Sequence, residues 1–248
     1  MAKENEVNYI RRVIQVDGIE QGQFHEYLLK KPFSDNQCWL YLMDIGQILK
    51  LLPPKPARLL DLGVGSGWTS EIFARCGYTV VGIDICPDMI ALSQERNKNA
   101  NLGNVALEFH LLDFEKPFPF EPFDAAICYD ALHHAEDEAV MVQRVYGALK
   151  PAGIFIMIEP GEGHSKADYS IQAMQKYGTT EKDMPYPHLE PLLKRAGFRQ
   201  VSQHLRIGLL ALLDLASKDN HDLQVREFTG LCWNTTKLGL SSLIIAQK

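Results

Sequence analysis

With 248 residues, 46% of them apolar and 23% charged, the chain is long enough to bury one substantial core, and its composition excludes a disordered or fibrous protein. Its formal net charge of −6, with no basic run longer than the pairs Arg11-Arg12 and Lys30-Lys31, disfavours nucleic acid as the main partner, because phosphate binding needs a basic footprint. Five cysteines without a C-x-x-C pair and an N-terminus charged from its third residue lead us to expect a cytoplasmic protein with reduced thiols, and the apolar stretch IGLLALLDLA (207–216) is too short for a membrane span.

In chain order, Trp39, Leu42, Ile45, Ile48 and Leu49 fall at helical spacing and predict a helix over about 35–51. Residues 1–56 are therefore expected to form a helical cap ahead of a main domain at 57–248. From Arg58 onward, short apolar runs alternate with helical patterns. Strands are expected at RLLDL (58–62), TVVGID (79–84), LEFHLLD (107–113), FDAAICY (123–129) and GIFIMIEP (153–160), with helices at 69–75, 87–99 and 137–149. The second, fourth and fifth runs are continuously apolar, as when helices cover both sheet faces. The pattern predicts a doubly wound α/β fold. Next comes a polar, aromatic, proline-punctuated insertion at 162–188, the kind of long connection that carries function, followed by a helix at HLEPLLKRAG. FRQVSQHLRIG and LSSLIIAQK predict a sixth and a seventh strand.

The turn after the first strand reads RLLDLGVGSGWTS, and its glycines allow backbone N–H groups to approach a ligand. The dinucleotide pattern G-x-G-x-x-G would need a glycine at 68, where Trp68 stands. The spacing is instead D-x-G-x-G-x-G, from Asp61 through Gly63 and Gly65 to Gly67, and no Gly-Lys-Ser/Thr follows to make a P-loop. In an open parallel sheet the strand ends converge on the ligand. Here the second ends at Asp84, the third at Asp113 and the fourth at Tyr129-Asp130. Asp84 can accept hydrogen bonds from ribose hydroxyls of either NAD or S-adenosylmethionine. Asp113 can accept the exocyclic amine of an adenine, and with the glycine spacing it favours the methyl donor. As purely structural residues, the glycines would be turn formers, Asp84 a cap for the helix at Pro87, and Asp113 a turn residue before Pro117.

The segments LLDLGVGSG, VVGIDICPDMI, LLDFEKPFPFEPFDAAICYDALHH and ALKPAGIFIMIEP resemble the class I S-adenosylmethionine-dependent methyltransferases of small-molecule type, closely over about 57–150 and more loosely to 207. The resemblance implies a seven-stranded, mostly parallel sheet with an antiparallel last strand. It places Asp61, Gly63, Gly65 and Gly67 along the methionine part of the cofactor. Asp84 would hold the ribose, Ile85 and Met89 would pack near the adenine, Asp113 with the Phe114 backbone would read the adenine edge, and Tyr129 would border the sulfonium.

Methyl transfer to a hydroxyl also needs a base, and LHH is similar to the pattern of small-molecule O-methyltransferases, whose histidines at this point and acid after the fifth strand act at the acceptor. The matching residues are His133, His134 and Glu159, with either histidine as general base and Glu159 as orienter or second base. No metal is expected. The methyl acceptor is expected to be a small molecule, methylated at oxygen or nitrogen. Cys128-Tyr129-Asp130-Ala131 lacks the Asn/Asp-Pro-Pro-Tyr/Phe turn of amino-methylating enzymes, and no cysteine follows a proline as cytosine C5 methylation requires. An RNA or protein methyltransferase is disfavoured by the acidic balance, and a non-catalytic cofactor-binding module by the intact loop. His164, Tyr169, Tyr177, Tyr186, His188 and Trp233 are candidates for the acceptor pocket. The segment IGLLALLDLA has three readings: core helix, lid or homodimer face.

Overall fold

The structure, a computed structural model, describes residues 2–206 and 241–248. Its centre is one sheet of seven strands: β1 (Arg58–Leu62), β2 (Thr79–Asp84), β3 (Leu107–Leu111), β4 (Phe123–Tyr129), β5 (Leu149–Glu159), β6 (Gln200–His204) and β7 (Ser242–Gln247). They lie in the order β3-β2-β1-β4-β5-β7-β6. β1 through β5 pair in parallel, while β7 runs antiparallel between β5 and β6, as the resemblance implies. The order reverses between β1 and β4, which opens a crevice beyond their carboxyl ends.

Helices cover both faces, so the central strands are apolar on both sides. On one face Met141, Val142 and Val145 of α7 (Glu138–Ala148) and Leu189, Leu192 and Leu193 of α9 (Tyr186–Ala196) pack on Leu60, Leu62, Val81, Ala126 and Cys128. On the other, Ile45 and Ile48 of α4 (Cys38–Leu51), Phe73 of α5 (Trp68–Arg75) and Ile90 of α6 (Pro87–Ala100) pack on Leu59, Val80, Ala125, Ile127 and Ile156.

Of the boundaries that differ from those expected, two bear on the site. β5 starts at Leu149, earlier than the apolar run, because Pro151 cannot continue α7, and Ala152, at φ +62°, lies at the irregularity between the Phe123–Leu149 and Ala125–Ile154 pairs with β4. β3 stops at Leu111, which leaves Leu112 and Asp113 in the following turn. Ahead of α4 the cap holds three helices not expected individually, α1 (Ala2–Val7), α2 (Tyr9–Asp17) and α3 (Gln21–Leu29), of which α2 has Ile10, Val13 and Ile14 at helical spacing; α8 (Asp168–Tyr177) forms part of the insertion. The N-terminal helices reach the insertion over the open end of the sheet. Asn5 Nδ2 donates to the Gly178 carbonyl (2.9 Å), the Thr180 N–H donates to Glu6 Oε1 (2.8 Å), Asp17 accepts from the Tyr177 hydroxyl, and the Tyr9 and Tyr177 rings meet edge-on.

Among the described residues, no helix is long and apolar enough to cross a membrane. The 207–216 segment, Cys232 and Trp233 lie outside the described residues.

Candidate active site

The turn after β1 is held under the crevice by its own backbone, since the Gly63 and Val64 N–H groups both donate to the Ile83 carbonyl. Gly63 has φ +67°, and a Cβ there would lie 2.5 Å from the Ala131 Cβ, so only glycine fits. Gly67 caps α5 at φ +78°, where a Cβ would meet Phe109 and Ser93 at 2.7 and 2.8 Å. Asp61 lies beneath the turn, where it accepts from Thr69 Oγ1 (2.7 Å) and Ser70 Oγ (2.6 Å); burial pushes its carboxyl up to about 6.

A cavity of about 420 Å³ opens above the turn. One end is walled by Gly63, Gly65, Asp84, Ile85, Met89, Asp113 and Phe114. Asp84 accepts hydrogen bonds from the Gly65 and Cys86 N–H groups, both at 2.8 Å, and burial pushes its carboxyl upward against them. Asp113 is paired at 2.9 Å with Lys3, which also reaches Glu115 at 3.0 Å.

The other end is walled by Glu6, Tyr9, His133, His134, His164, Tyr169 and Glu181. His133 Nδ1 donates to Glu159 Oε2 at 2.8 Å, and Glu159 also accepts from the N–H groups of Ala131 (3.1 Å), Leu132 (2.9 Å) and His133 (3.3 Å). The other ring nitrogen, Nε2, stands 3.6 Å from Oε2 of Glu181, which lines the cavity. His134 Nδ1 donates to the Thr180 carbonyl at 2.6 Å. Burial works to lower the His133 pKa, but the hydrogen bond and charge of Glu159 outweigh it and lift the imidazole to about 9, while His133 holds the Glu159 carboxyl below its ordinary range despite burial.

That pair has a definite pH signature. A raised histidine contributes stability in full below its unfolded value of about 6.5 and loses it as pH rises through about 9. The stability difference between the wild type and Glu159→Gln, from urea unfolding, is therefore expected to be largest near pH 6.5, on the order of 3 kcal/mol, and to shrink by pH 10. A difference that stays flat across this range contradicts the pairing.

Seven of the ten expected cofactor residues thus share one cavity wall; Asp61, Gly67 and Tyr129 do not. Tyr129 donates to Asp44 Oδ2 at 2.7 Å, and Asp44 is fixed from the other side by Arg206. Tyr129 lines a neighbouring cavity of about 530 Å³ that shares Asp130, His164 and Tyr169 with the first. Of the expected acceptor residues, His164 and Tyr169 are on the wall. Tyr177 bonds Asp17, Tyr186 donates to the Val201 carbonyl, and His188 contacts Glu138. Lys3, Glu6, Tyr9 and Glu181 line the cavity without any sequence signal, because they arrive from the cap and the insertion.

Ligating atoms of His133, His134 and Glu181 lie within 4.8 Å of one another, as do those of Asp130, His133 and Glu159. Nδ1 of His133, Nδ1 of His134 and the Glu159 carboxylate carry the hydrogen bonds described, and Glu181 accepts from His164 and Thr179.

Residues 60–157 match the model of the methyltransferase domain family. A ubiquinone biosynthesis O-methyltransferase of Xylella fastidiosa is 32% identical over 111 residues, which are 44% of this chain and 44% of that protein, so the alignment spans less than half of its length. Among solved structures, Haemonchus contortus phosphoethanolamine N-methyltransferase 2 in complex with S-adenosyl-L-methionine aligns with a TM-score of 0.62 at 19% identity, over 95% of this chain and 59% of that one. An S-adenosylmethionine-dependent methyltransferase from Mesorhizobium loti aligns with a TM-score of 0.57 at 20% identity, over 82% and 96%.

Proposed function

We propose that this chain, whose residues 60–157 are a methyltransferase domain, transfers a methyl group from S-adenosylmethionine to an oxygen or nitrogen of a small molecule. The observation that carries this reading is the meeting of the β1, β2 and β3 ends with the histidine pair at one cavity across the strand reversal. The residues there fit the cofactor. A Cβ at Gly63 would strike Ala131, which lines the same cavity, Gly65 shares the wall, Asp84 offers a half-buried carboxylate, and Asp113 with Phe114 closes the far end. Gly63 and Gly65 would bear the methionine part, Asp84 the ribose, and Asp113, Ile85 and Met89 the adenine. Asp61, Gly67 and Tyr129 would act from behind, by holding the turn and the crevice in shape.

Bound there, S-adenosylmethionine supplies an electrophilic methyl group with a neutral thioether as leaving group. The chain positions the acceptor, excludes water and removes a proton. His133 is the base we favour. Its Nδ1 is tied to Glu159, which fixes the ring and leaves Nε2 beside Glu181 on the cavity wall; Glu159 is therefore the orienter. His134, whose Nδ1 is held by Thr180, is the second candidate.

Calorimetric titration with S-adenosylmethionine, S-adenosylhomocysteine and NAD tests the cofactor. The two sulfur ligands are expected to bind and NAD is not, with Asp84→Ala weakening them roughly 10- to 100-fold, as loss of a ligand-bonding carboxylate does. NAD binding, or none, overturns the reading. Turnover on a small-molecule panel, run against tRNA and protein extracts, tests the acceptor class. If His133→Ala, His134→Ala and Glu159→Gln all keep near-normal rates, no histidine base operates.

A further inference from the structure

The carboxylates at the histidine end of the cavity are matched by imidazoles alone. Among the described residues, the ion pairs of Glu6, Asp130, Glu159 and Glu181 are made with His133, His134 and His164, and none of the four carboxylates pairs with a lysine or arginine. Glu159 and Glu181 are nearly enclosed, their side chains 1% and 9% exposed. So much negative charge in a closed space favours a cation, and a doubly charged ion gains more from it than a proton does.

The two adjacent imidazoles are oriented as metal ligands are. A carbonyl can only accept, so His134 Nδ1, 2.6 Å from the Thr180 carbonyl, carries a proton, and His133 Nδ1 donates to the Glu159 carboxylate at 2.8 Å. A carbonyl and a carboxylate on Nδ1 are the usual partners of metal-binding histidines, and they leave Nε2 for the ion. His133 is 3% exposed, yet its Nε2 makes no hydrogen bond among the described residues, and Glu181 Oε2 stands 3.6 Å from it. That gap is too long for a hydrogen bond, but it suits two donors on one tetrahedral ion, which bonds of about 2.0–2.2 Å place about 3.3–3.6 Å apart. The His134 ring lies beside that of His133, at a centroid distance of 3.9 Å, and ligating atoms of His133, His134 and Glu181 all fall within 4.8 Å of one another. Glu181 is itself held by His164 and Thr179, as ligating carboxylates are. The other set, Asp130 with His133 and Glu159, meets His133 at the Nδ1 that is already bonded. Because Glu181 arrives from the insertion, no ligand motif runs along the chain, which is why no metal is expected from the sequence.

We propose that His133 Nε2, His134 Nε2 and Glu181 form a site for a divalent first-row transition ion. Two imidazoles and one carboxylate suit zinc, whereas magnesium and calcium take oxygen donors. Binding balances simply: the proton on Nε2 leaves to solvent, its electron pair stays on nitrogen, and that pair forms the bond to the ion. The consequence rests on the reading of His133 as the base. The ion takes the nitrogen meant for the acceptor's proton, so His133 serves as base in the metal-free protein and is held off when the ion is bound.

The test needs no methyl acceptor. Zinc chloride is titrated by calorimetry into the full-length, chelator-treated chain, S-adenosylhomocysteine binding is measured on the same samples, and the His133 ring ¹⁵N shifts are recorded with and without zinc. One zinc per chain is expected, bound at least about 100-fold more tightly than magnesium, and the His133 Nε2 resonance is expected to move much more than Nδ1. Glu181→Gln and His134→Ala are expected to weaken zinc by about 100-fold or more, and Glu159→Gln, which removes only the orientation of His133, by about 10- to 100-fold. Zinc that binds with no change at His133 Nε2, or that none of these substitutions weakens, overturns the site and places the ion elsewhere, for instance on a cysteine. The wild-type shift decides this even where a variant fails to fold. A wild type that binds S-adenosylhomocysteine but not zinc overturns the metal site alone, whereas one that binds zinc but not S-adenosylhomocysteine overturns the cofactor reading and supports the site.

Discussion

Arg96→Ala is expected to lower the unfolding free energy by about 3–5 kcal/mol, a large part of what holds a domain of this size together. The side chain leaves α6 inward and is 9% exposed. Its Nε donates to the Ser66 carbonyl at 2.8 Å, Nη1 to Glu71 Oε2 at 2.9 Å, and Nη2 to the carbonyls of Leu28 at 3.0 Å and Leu29 at 2.6 Å. One guanidinium thus joins three parts of the chain: the end of α3, the glycine turn and α5. Ser66 Oγ adds a second bond to the Leu28 carbonyl. Truncation takes a donor from three carbonyls, of which Leu28 keeps the Ser66 hydroxyl, and leaves Glu71 without its buried cation. Arg96→Lys keeps the charge but offers one nitrogen to four acceptors, so it is expected to recover less than half of the loss. Urea midpoints at constant m-value measure both. A loss under about 1 kcal/mol for Arg96→Ala shows that the cap is held by its apolar contacts instead, chiefly Ile10 and Leu28 against Cys86 and Leu92.

Arg96 also marks the limit of what the sequence discloses. In SQERNKNA it reads as one more charge on a solvated helix face, and nothing local says that the end of α3 will lie over it. β1, β2 and β4 were legible to the residue, because an apolar run bounded by glycine, proline or an acid at the strand end leaves a buried parallel strand few other registers. The cofactor end of the cavity was legible for a related reason. Its residues sit at fixed offsets from strand ends, so the order of strands brings Gly63, Asp84 and Asp113 together without any long-range information. The acceptor end lacks that property. Glu6 and Glu181 meet residues more than forty positions away, through contacts that depend on how the cap and insertion close over the sheet, and Lys3 reaches Asp113 at the cofactor end in the same way. α1 has a single large apolar residue, Val7, and α3 buries only Leu28, too little periodicity to separate a short helix from a loop.

Gly63→Ala is expected to weaken S-adenosylhomocysteine binding by about 100-fold or more, and the comparison with Gly67→Ala shows why the two glycines are not equivalent. Both have positive φ, so alanine carries backbone strain of about 1–3 kcal/mol at either position. At Gly67 the new methyl meets the Phe109 ring and Ser93 Cβ, away from the cavity, so the cost falls on the packing of α5 and α6. At Gly63 it meets Ala131 Cβ at 2.5 Å, and Ala131 begins the turn that carries Leu132, His133 and His134. The clash must move either the glycine turn or the histidine turn, and each forms a wall of the cavity. Gly67→Ala is therefore expected to lower the urea midpoint while the folded protein binds within about 10-fold of wild type, whereas Gly63→Ala loses binding even where it remains folded. The Gly63 variant should also alter the His133 ring shifts, since its turn is displaced from the Glu159 carboxylate. If Gly63→Ala binds like the wild type, the ligand does not rest on this turn, and the roles given to Gly63 and Gly65 fall together.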